Sequence, residues 1–175
     1  LATGVLPVFV GGATKAADFA AAQDKEYVAG FTLGYNTDTQ DVTGETLQTS
    51  GKHAAREEVE RALAQFCGPQ RQVPPMYSAV KVNGQKLYDL ARKGKEVERP
   101  ARDIIVHEAT LLDFDEAAQQ GTLRLAVSKG TYVRTIVNDL GEALGTLAVM
   151  HSLTRTRSGA YALDQCRSFD EVERA

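Results

Sequence analysis

The most constraining feature of this sequence is a change of hydrophobic period between residues 122 and 145. Leu123, Leu125 and Val127 alternate with polar or small residues, which predicts a β-strand with one buried face. From Tyr132 onward the apolar residues recur at helical spacing, so a helix is predicted to open at Tyr132. A strand that leads within a few residues into an amphipathic helix packs with it around one core. The chain is therefore predicted to be an α+β domain.

Arg134 stands in the first turn of this otherwise apolar helix. Helix N-termini favour anions, because the first amide groups have no partner within the helix and the helix dipole is positive there. A guanidinium that points into a core also needs a negatively charged partner, since a buried unpaired charge is costly. Two interpretations stay open: Arg134 meets a functional carboxylate or phosphate, or it pairs with a local Asp or Glu.

The other segments show the same two periods. Ser168 and Glu171 have the spacing of a capping box, which predicts the start of a last helix. No repeat or low-complexity segment divides the chain, so a single domain is predicted over residues 1–175. The further elements expected are a helix over 13–23, a strand over 26–35, a helix over 56–66 that stops at Gly68-Pro69, a hairpin of strands over 103–115 and 122–128, and a strand over 151–163.

Charge is distributed unevenly along the chain. The formal net charge is −3, yet the segment 81–102 holds seven basic residues against three acidic ones. A basic stretch on an acidic body suits an anionic ligand, but a solvated helix face with charges four residues apart has a similar composition. Charge alone leaves both interpretations open.

Several classes of function find little support. No apolar run approaches the about 20 residues that span a bilayer, so a cytoplasmic protein is expected. Cys67 and Cys166 lie far apart and the histidines have no ligand spacing relative to them, so no metal site is predicted. No glycine stands directly before Lys15, which argues against a phosphate loop. A hydrolase that uses His151 and Ser152 rests only on their adjacency.

A set of ordered motifs resembles the bacterial TruB family of tRNA pseudouridine synthases. The resemblance runs from Leu1 to about Arg157. Its motifs are Leu1-Ala2-Thr3-Gly4-Val5-Leu6-Pro7, Gly12-Ala13-Thr14-Lys15, Asp24-Lys25-x-Tyr27, Gly34-x-x-Thr37-Asp38-Thr39-x-Asp41-x-x-Gly44, Gln72-x-Pro74-Pro75-Met76-Tyr77-Ser78-Ala79-x-Lys81, Tyr88-x-x-Ala91-Arg92-x-Gly94 and Lys129-Gly130-Thr131-Tyr132-x-Arg134.

The resemblance implies a pseudouridine synthase fold, with a mixed and largely antiparallel sheet flanked by helices. It also implies that uridine 55 in the T-arm loop of tRNA is isomerised to pseudouridine without metal or cofactor, after the base leaves its stack. Tyr27 would stack on the base and Arg134 would hold the catalytic aspartate. Tyr132 and Leu153 would line the pocket, with Asp41 and Lys129 near the substrate. Without the resemblance, core positions on strands would be the simpler interpretation of Tyr27 and Leu153.

Residues 74–102 would form a projecting loop-and-helix element that grips the T-arm. Its expected RNA-binding residues are Lys81, Lys86, Arg92 and Lys93.

The family's catalytic aspartate belongs to a Gly-x-Leu-Asp-Pro motif that falls immediately before the position of Leu1. We therefore expect a partial catalytic domain, truncated at the N-terminus, whose nucleophile lies upstream and which is inactive alone. Arg134 would then meet an anion, solvent or a nearby acid instead. No C-terminal RNA-binding appendage is expected here, and a monomer is expected for the full-length enzyme. The alternative is a tRNA-binding or tRNA-folding module without catalysis.

Overall fold

The computed structural model describes residues 2–82 and 84–174. Leu1, where the resemblance begins, lies outside the described residues, as do Asn83 and Ala175. The strands are β1 (Ala2–Gly4), β2 (Lys25–Leu33), β3 (Tyr35–Thr37), β4 (Thr46–Thr49), β5 (Gly68–Gln72), β6 (Lys81–Val82), β7 (Gln85–Lys86), β8 (Arg102–Asp115), β9 (Gln120–Val127), β10 (Ala148–Ser158) and β11 (Tyr161–Ala162). The α-helices are α1 (Ala17–Ala21), α2 (Arg56–Ala64), α3 (Leu87–Ala91), α4 (Val133–Leu144) and α5 (Phe169–Glu173), and 3-10 helices span Gly11–Ala16 and Leu163–Gln165.

A seven-stranded sheet forms the centre of the molecule. Its strand order is β1-β10-β2-β9-β8-β5, and β11 pairs with the far part of β10. β1 runs parallel to β10, whereas the other pairs of this sheet are antiparallel. The predicted α+β class, with a mixed and largely antiparallel sheet, is confirmed.

The core lies between this sheet and the two longest helices. α2 packs on β8, α4 packs on β10 and β2, and the two helices contact each other. Leu123, Leu125 and Val127 of β9 are all buried, as their alternation predicts. Phe31 and Phe114 stack within this core with their ring centroids 6.0 Å apart. These contacts hold α4 against the middle of the sheet, where the site described below is formed.

Two glycines fix the position of α4. Gly145 ends the helix in the left-handed conformation with a φ of 67°, which glycine adopts without strain. One turn earlier, a Cβ on Gly141 would collide with the backbone of Ala148 at the start of β10. The helix therefore approaches β10 more closely than any larger residue at position 141 would permit.

The sequence predictions fail at two places. The helix expected over 13–23 is a 3-10 helix followed by the five residues of α1, and neither segment has a buried residue. Alanine-rich composition alone does not sustain a short helix that lacks tertiary packing. The segment 68–72, expected only to stop a helix, forms strand β5 because it pairs with β8 over its whole length. The hairpin β8–β9 and the Ser168 cap of α5 are confirmed.

Candidate active site

A large cleft opens where β1, β2 and β10 meet the N-terminus of α4. It has a volume of about 1480 Å³. The predicted site residues that line it are Tyr27, Asp41, Tyr132, Arg134 and Leu153. The fold thus brings together five side chains that lie as far apart as positions 27 and 153.

Tyr27 and Leu153 come from neighbouring strands. Leu153 of β10 pairs with Ala29 of β2, and Arg155 pairs with Tyr27, so Tyr27 and Leu153 are diagonal neighbours on one face. Both side chains are half-buried and pack against the edge of the core while they line the cleft. Each residue therefore has the core contact that its strand position predicts and a surface open to a ligand.

Arg134 forms an ion pair with Asp41. Its Nη1 lies 3.2 Å from Oδ2 of Asp41, and the two side chains are only 18% and 11% exposed. Its Nη2 donates a hydrogen bond to the backbone carbonyl of Tyr77. Of the partners that sequence reasoning left open for Arg134, the structure contains an acid of this chain, 93 residues away in sequence.

Asp41 is itself held by a network of hydroxyl and amide groups. Its Oδ1 accepts hydrogen bonds from the Thr39 hydroxyl at 2.9 Å, from the Thr43 amide at 3.0 Å and from the Thr43 hydroxyl. Burial by itself raises the pKa of Asp41, but these hydrogen bonds and the charge of Arg134 outweigh it, so the pKa lies below its usual value. Asp41 is therefore an ionised carboxylate at neutral pH.

Gln72 fixes the residue at which α4 begins. Its Nε2 donates to the carbonyl of Tyr132 at 3.1 Å, and the amide of Tyr132 donates to its Oε1 at 2.8 Å. In the sequence, Gln72 stands out only as part of a motif. The carbonyl of Tyr77 has no signature there at all, because it is a backbone acceptor.

The segment 74–102 carries its own small hairpin and helix. Among the described residues, β6 and β7 pair only with each other, and this pairing sets Lys81 opposite Lys86. Lys86 and Arg92 both lie near the ring of Tyr88, at 5.4 Å and 5.5 Å from its centroid. The four predicted RNA-binding side chains, Lys81, Lys86, Arg92 and Lys93, are all exposed. We call these four basic residues the basic patch.

A smaller cavity of about 400 Å³ shares two lining residues, Asp41 and Arg134, with the cleft. Tyr88 and, from the basic patch, Arg92 line it as well. Ser78, which is 6% exposed, borders it too, and its hydroxyl has no hydrogen-bond partner among the described residues. The Asp41–Arg134 ion pair therefore borders both the smaller cavity and the cleft.

Lys129 and the His151-Ser152 pair lie apart from this arrangement. Lys129 is exposed in the turn after β9 and is absent from the described residues that line the cleft. The Ser152 hydroxyl accepts a hydrogen bond from the Gly30 amide at 3.2 Å, and the described residues include no hydrogen bond from it to His151. This geometry gives no support to a hydrolase.

The described residues contain no group of three or more His, Cys, Asp or Glu side chains placed to hold a metal ion. None of the described helices combines the length and the hydropathy that a membrane crossing requires.

The fold is similar to that of chains in two solved assemblies. A chain in the crystal structure of a Cbf5-Nop10-Gar1 complex matches with a TM-score of 0.67 and 28% sequence identity, over 92% of this chain and 38% of that one. A chain of an H/ACA RNP bound to a substrate RNA containing 2'-deoxyuridine matches with a TM-score of 0.63, 22% identity and coverage of 92% and 36%. Both chains share the fold of this protein over most of its length.

Curated relatives are more similar in sequence. The tRNA pseudouridine synthase B of Bacillus cytotoxicus is 50% identical over 177 residues, which cover 98% of this chain and 58% of the relative. That of Fusobacterium nucleatum is 47% identical over 164 residues, which cover 94% and 56%. The chain therefore spans less than two thirds of the length of these relatives.

Two family models divide the chain between them. The model of the TruB family pseudouridylate synthase N-terminal domain matches residues 1–133, and that of the tRNA pseudouridylate synthase B C-terminal domain matches residues 134–175. The boundary falls within helix α4, and both parts contribute strands to the same central sheet. On the sequence matches and on the fold, this chain belongs to the TruB family of pseudouridine synthases.

Proposed function

We propose that this chain is the uridine-binding part of a tRNA pseudouridine synthase that isomerises uridine 55 of the T-arm loop. The observation that carries the proposal is the cleft that Tyr27, Leu153 and Tyr132 line together with the Asp41–Arg134 ion pair. An enzyme that acts on a base must take it out of the stack and hold it between aromatic or apolar side chains. Tyr27, half-buried at the edge of the core, is the platform for that base.

Arg134 supplies a fixed positive charge for the nucleophile. A guanidinium has five N–H donors, and the described residues accept hydrogen bonds from two of its nitrogens, at Asp41 and at the Tyr77 carbonyl. The remaining donors are free to bind a second carboxylate and keep it ionised. Asp41 would then orient Arg134 rather than attack, because its oxygens already accept the hydrogen bonds of Thr39, Thr43 and Arg134.

The basic patch would hold the tRNA backbone. Two lysines placed directly opposite each other on a hairpin repel, so Lys81 and Lys86 are better stabilised with an anion between them. Cations beside an aromatic ring form a surface that suits both phosphates and unstacked bases. We propose that residues 74–102 bind the T-arm while its target base enters the cleft.

The nucleophile is proposed to be the aspartate of the family's Gly-x-Leu-Asp-Pro motif. The test compares the 175-residue chain with an extended chain, in which an upstream segment carrying that motif precedes residue 1. Both are incubated with unmodified tRNA, and conversion of the T-loop uridine is measured. A tRNA with cytidine at that position is the substrate control.

We expect conversion by the extended chain alone. Arg134→Lys in the extended chain should abolish most of it, because lysine keeps the charge but not the planar fork that orients a carboxylate. Conversion by the 175-residue chain would refute the assignment of the nucleophile. Tight tRNA binding by an extended chain that converts nothing would favour the alternative, a binding or folding module without catalysis.

A further inference from the structure

Gln72 makes a two-point contact with one residue of the site. It is the last residue of β5 and is 6% exposed. Its carboxamide donates to the carbonyl of Tyr132 and accepts from the amide of Tyr132, at 3.1 Å and 2.8 Å. Because both polar atoms of one side chain are used on one backbone residue, the contact fixes the direction of that residue as well as its position.

The residue that Gln72 contacts stands at the start of helix α4. Tyr132 is the N-cap, with an extended backbone, and no side chain of its own caps the helix. Its carbonyl accepts the first hydrogen bonds of the helix, from the amides of Thr135 and Ile136. A tyrosine cannot cap a helix as serine or aspartate does, so the helix start depends on support from outside. Gln72 provides that support at the point that determines where Tyr132 and Arg134 lie.

Gln72 also stands at the base of the segment that carries the basic patch. It pairs with Arg102 across β5 and β8, so the residues between them leave the sheet and return to it at this pair. Within that segment the Tyr77 carbonyl accepts a hydrogen bond from Arg134. The first turn of α4 is thus held at two points, by Gln72 from the end of β5 and by the Tyr77 carbonyl from the segment 74–102.

We propose that Gln72 is a positioning residue of the reaction, which holds the first turn of α4 so that Tyr132 and Arg134 face the cleft. The proposal rests on the function proposed above for Arg134. It predicts that loss of the Gln72 carboxamide slows the chemical step and leaves the grip on tRNA unchanged, because the basic side chains lie beyond Gln72 in the sequence and are exposed.

The test variant is Gln72→Glu, which keeps the length of the side chain but turns a carboxylate oxygen toward the carbonyl of Tyr132. Gln70→Glu is the matched control. Gln70 lies on the same face of β5, and its side-chain amide donates to the carbonyl of Phe66, in the turn after α2, instead of to α4. Gln72→Met, which removes both hydrogen bonds without adding charge, covers the case in which the Glu variant does not fold.

Single-turnover conversion and tRNA affinity are measured in the extended chain. We expect Gln72→Glu to lower the rate by about 10- to 100-fold, as a displacement of catalytic groups by about 1 Å does, with the Kd for tRNA within about twofold of the unsubstituted chain. Gln70→Glu should change neither quantity. A rate equal to that of the control, or a loss of affinity as large as the loss of rate, would refute the proposal.

A double-substitution cycle then asks whether Gln72 acts through Arg134. In an Arg134→Lys background the Gln72→Glu substitution should lower the residual rate by no more than about twofold, because contacts that serve one group are not additive. If the rate losses of Gln72→Glu and Arg134→Lys are fully additive, Gln72 does not act through Arg134 and the proposal is refuted.

A second readout does not depend on activity. Hydrogen exchange at the amides of residues 132–135, measured in the 175-residue chain, should accelerate in the Gln72 variants and not in Gln70→Glu. Unchanged exchange would refute the positioning role even if the enzyme is active. Faster exchange in the Gln72 variants, together with an extended chain that converts no uridine, would refute the proposed function and leave the structural contact of Gln72 intact.

Discussion

Replacement of Asp41 by asparagine tests the centre of the site with the smallest change of shape. The Oδ1 atom of Asp41 accepts hydrogen bonds from Thr39 and Thr43, and its Oδ2 faces Arg134. An asparagine has one oxygen and one NH2 group. In either orientation its NH2 group therefore points at a donor, which is the guanidinium in one case and the Thr43 amide in the other.

The cost follows from the burial of the pair. Removal of one partner of a fully buried ion pair costs about 3–5 kcal/mol, and a hydrogen bond to a charged group contributes about 1.5–3 kcal/mol. Because the side chains of Arg134 and Asp41 are still 18% and 11% exposed, the lower part of these two energy ranges applies. We expect Asp41→Asn to lower the free energy of unfolding by about 2–3 kcal/mol at pH 7.

Urea denaturation of the 175-residue chain measures this difference. Asp38→Asn is the control, since Asp38 Oδ1 accepts the Glu45 amide in a more exposed position and the substitution should cost less than about 1 kcal/mol. The pKa of Asp41 is lowered in the folded state, so its contribution is complete above the ordinary aspartate pKa of about 3.9 and is lost as the pH falls through the folded value. The two proteins should therefore converge in acid. A cost at pH 7 no greater than that of Asp38→Asn would refute the reasoning.

Three further predictions concern the platform, the basic patch and α4. In the extended chain Tyr27→Phe should retain most of the conversion rate and Tyr27→Leu should lose it, because stacking is worth about 1–3 kcal/mol per base; equal rates would return Tyr27 to a core role. Alanine at Arg92 and Lys93 should flatten the log–log salt dependence of tRNA binding by roughly 0.7 to 0.9 for each phosphate that is no longer neutralised, and an unchanged slope would identify a merely solvated surface. Burial, and to a smaller extent the charge of Glu142, raise the pKa of Asp139 against the opposing hydrogen bond from Asn138, so Asp139→Asn should raise the melting temperature at pH 7 and lose that advantage as the pH falls toward about 4. Equal melting temperatures at pH 7 would contradict that last prediction.

Elements whose signal is local were predictable. The alternation in β9 and the helical period of α4 depend on neighbours along the chain, and both segments bury the faces that the sequence marks as apolar. The serine cap of α5 is likewise set by residues three apart. Strand β5 carries no such signal, since a segment that begins with Gly68-Pro69 becomes a strand only because β8 offers it a partner.

The candidate site likewise combines features that the sequence predicts with contacts that only the fold reveals. The sequence by itself determined that Arg134 opens an apolar helix and needs an anionic partner, because helix position and burial follow from local periodicity. Its motifs also determined the family. Only the tertiary structure decided that this partner includes Asp41, which lies in a loop that pairs with β10 through the bridge between Asp41 and Met150. It likewise decided that Gln72, 60 residues away, supports Tyr132. Contacts of this kind depend on which strands pair and where loops close, and no local pattern of residues encodes those distances.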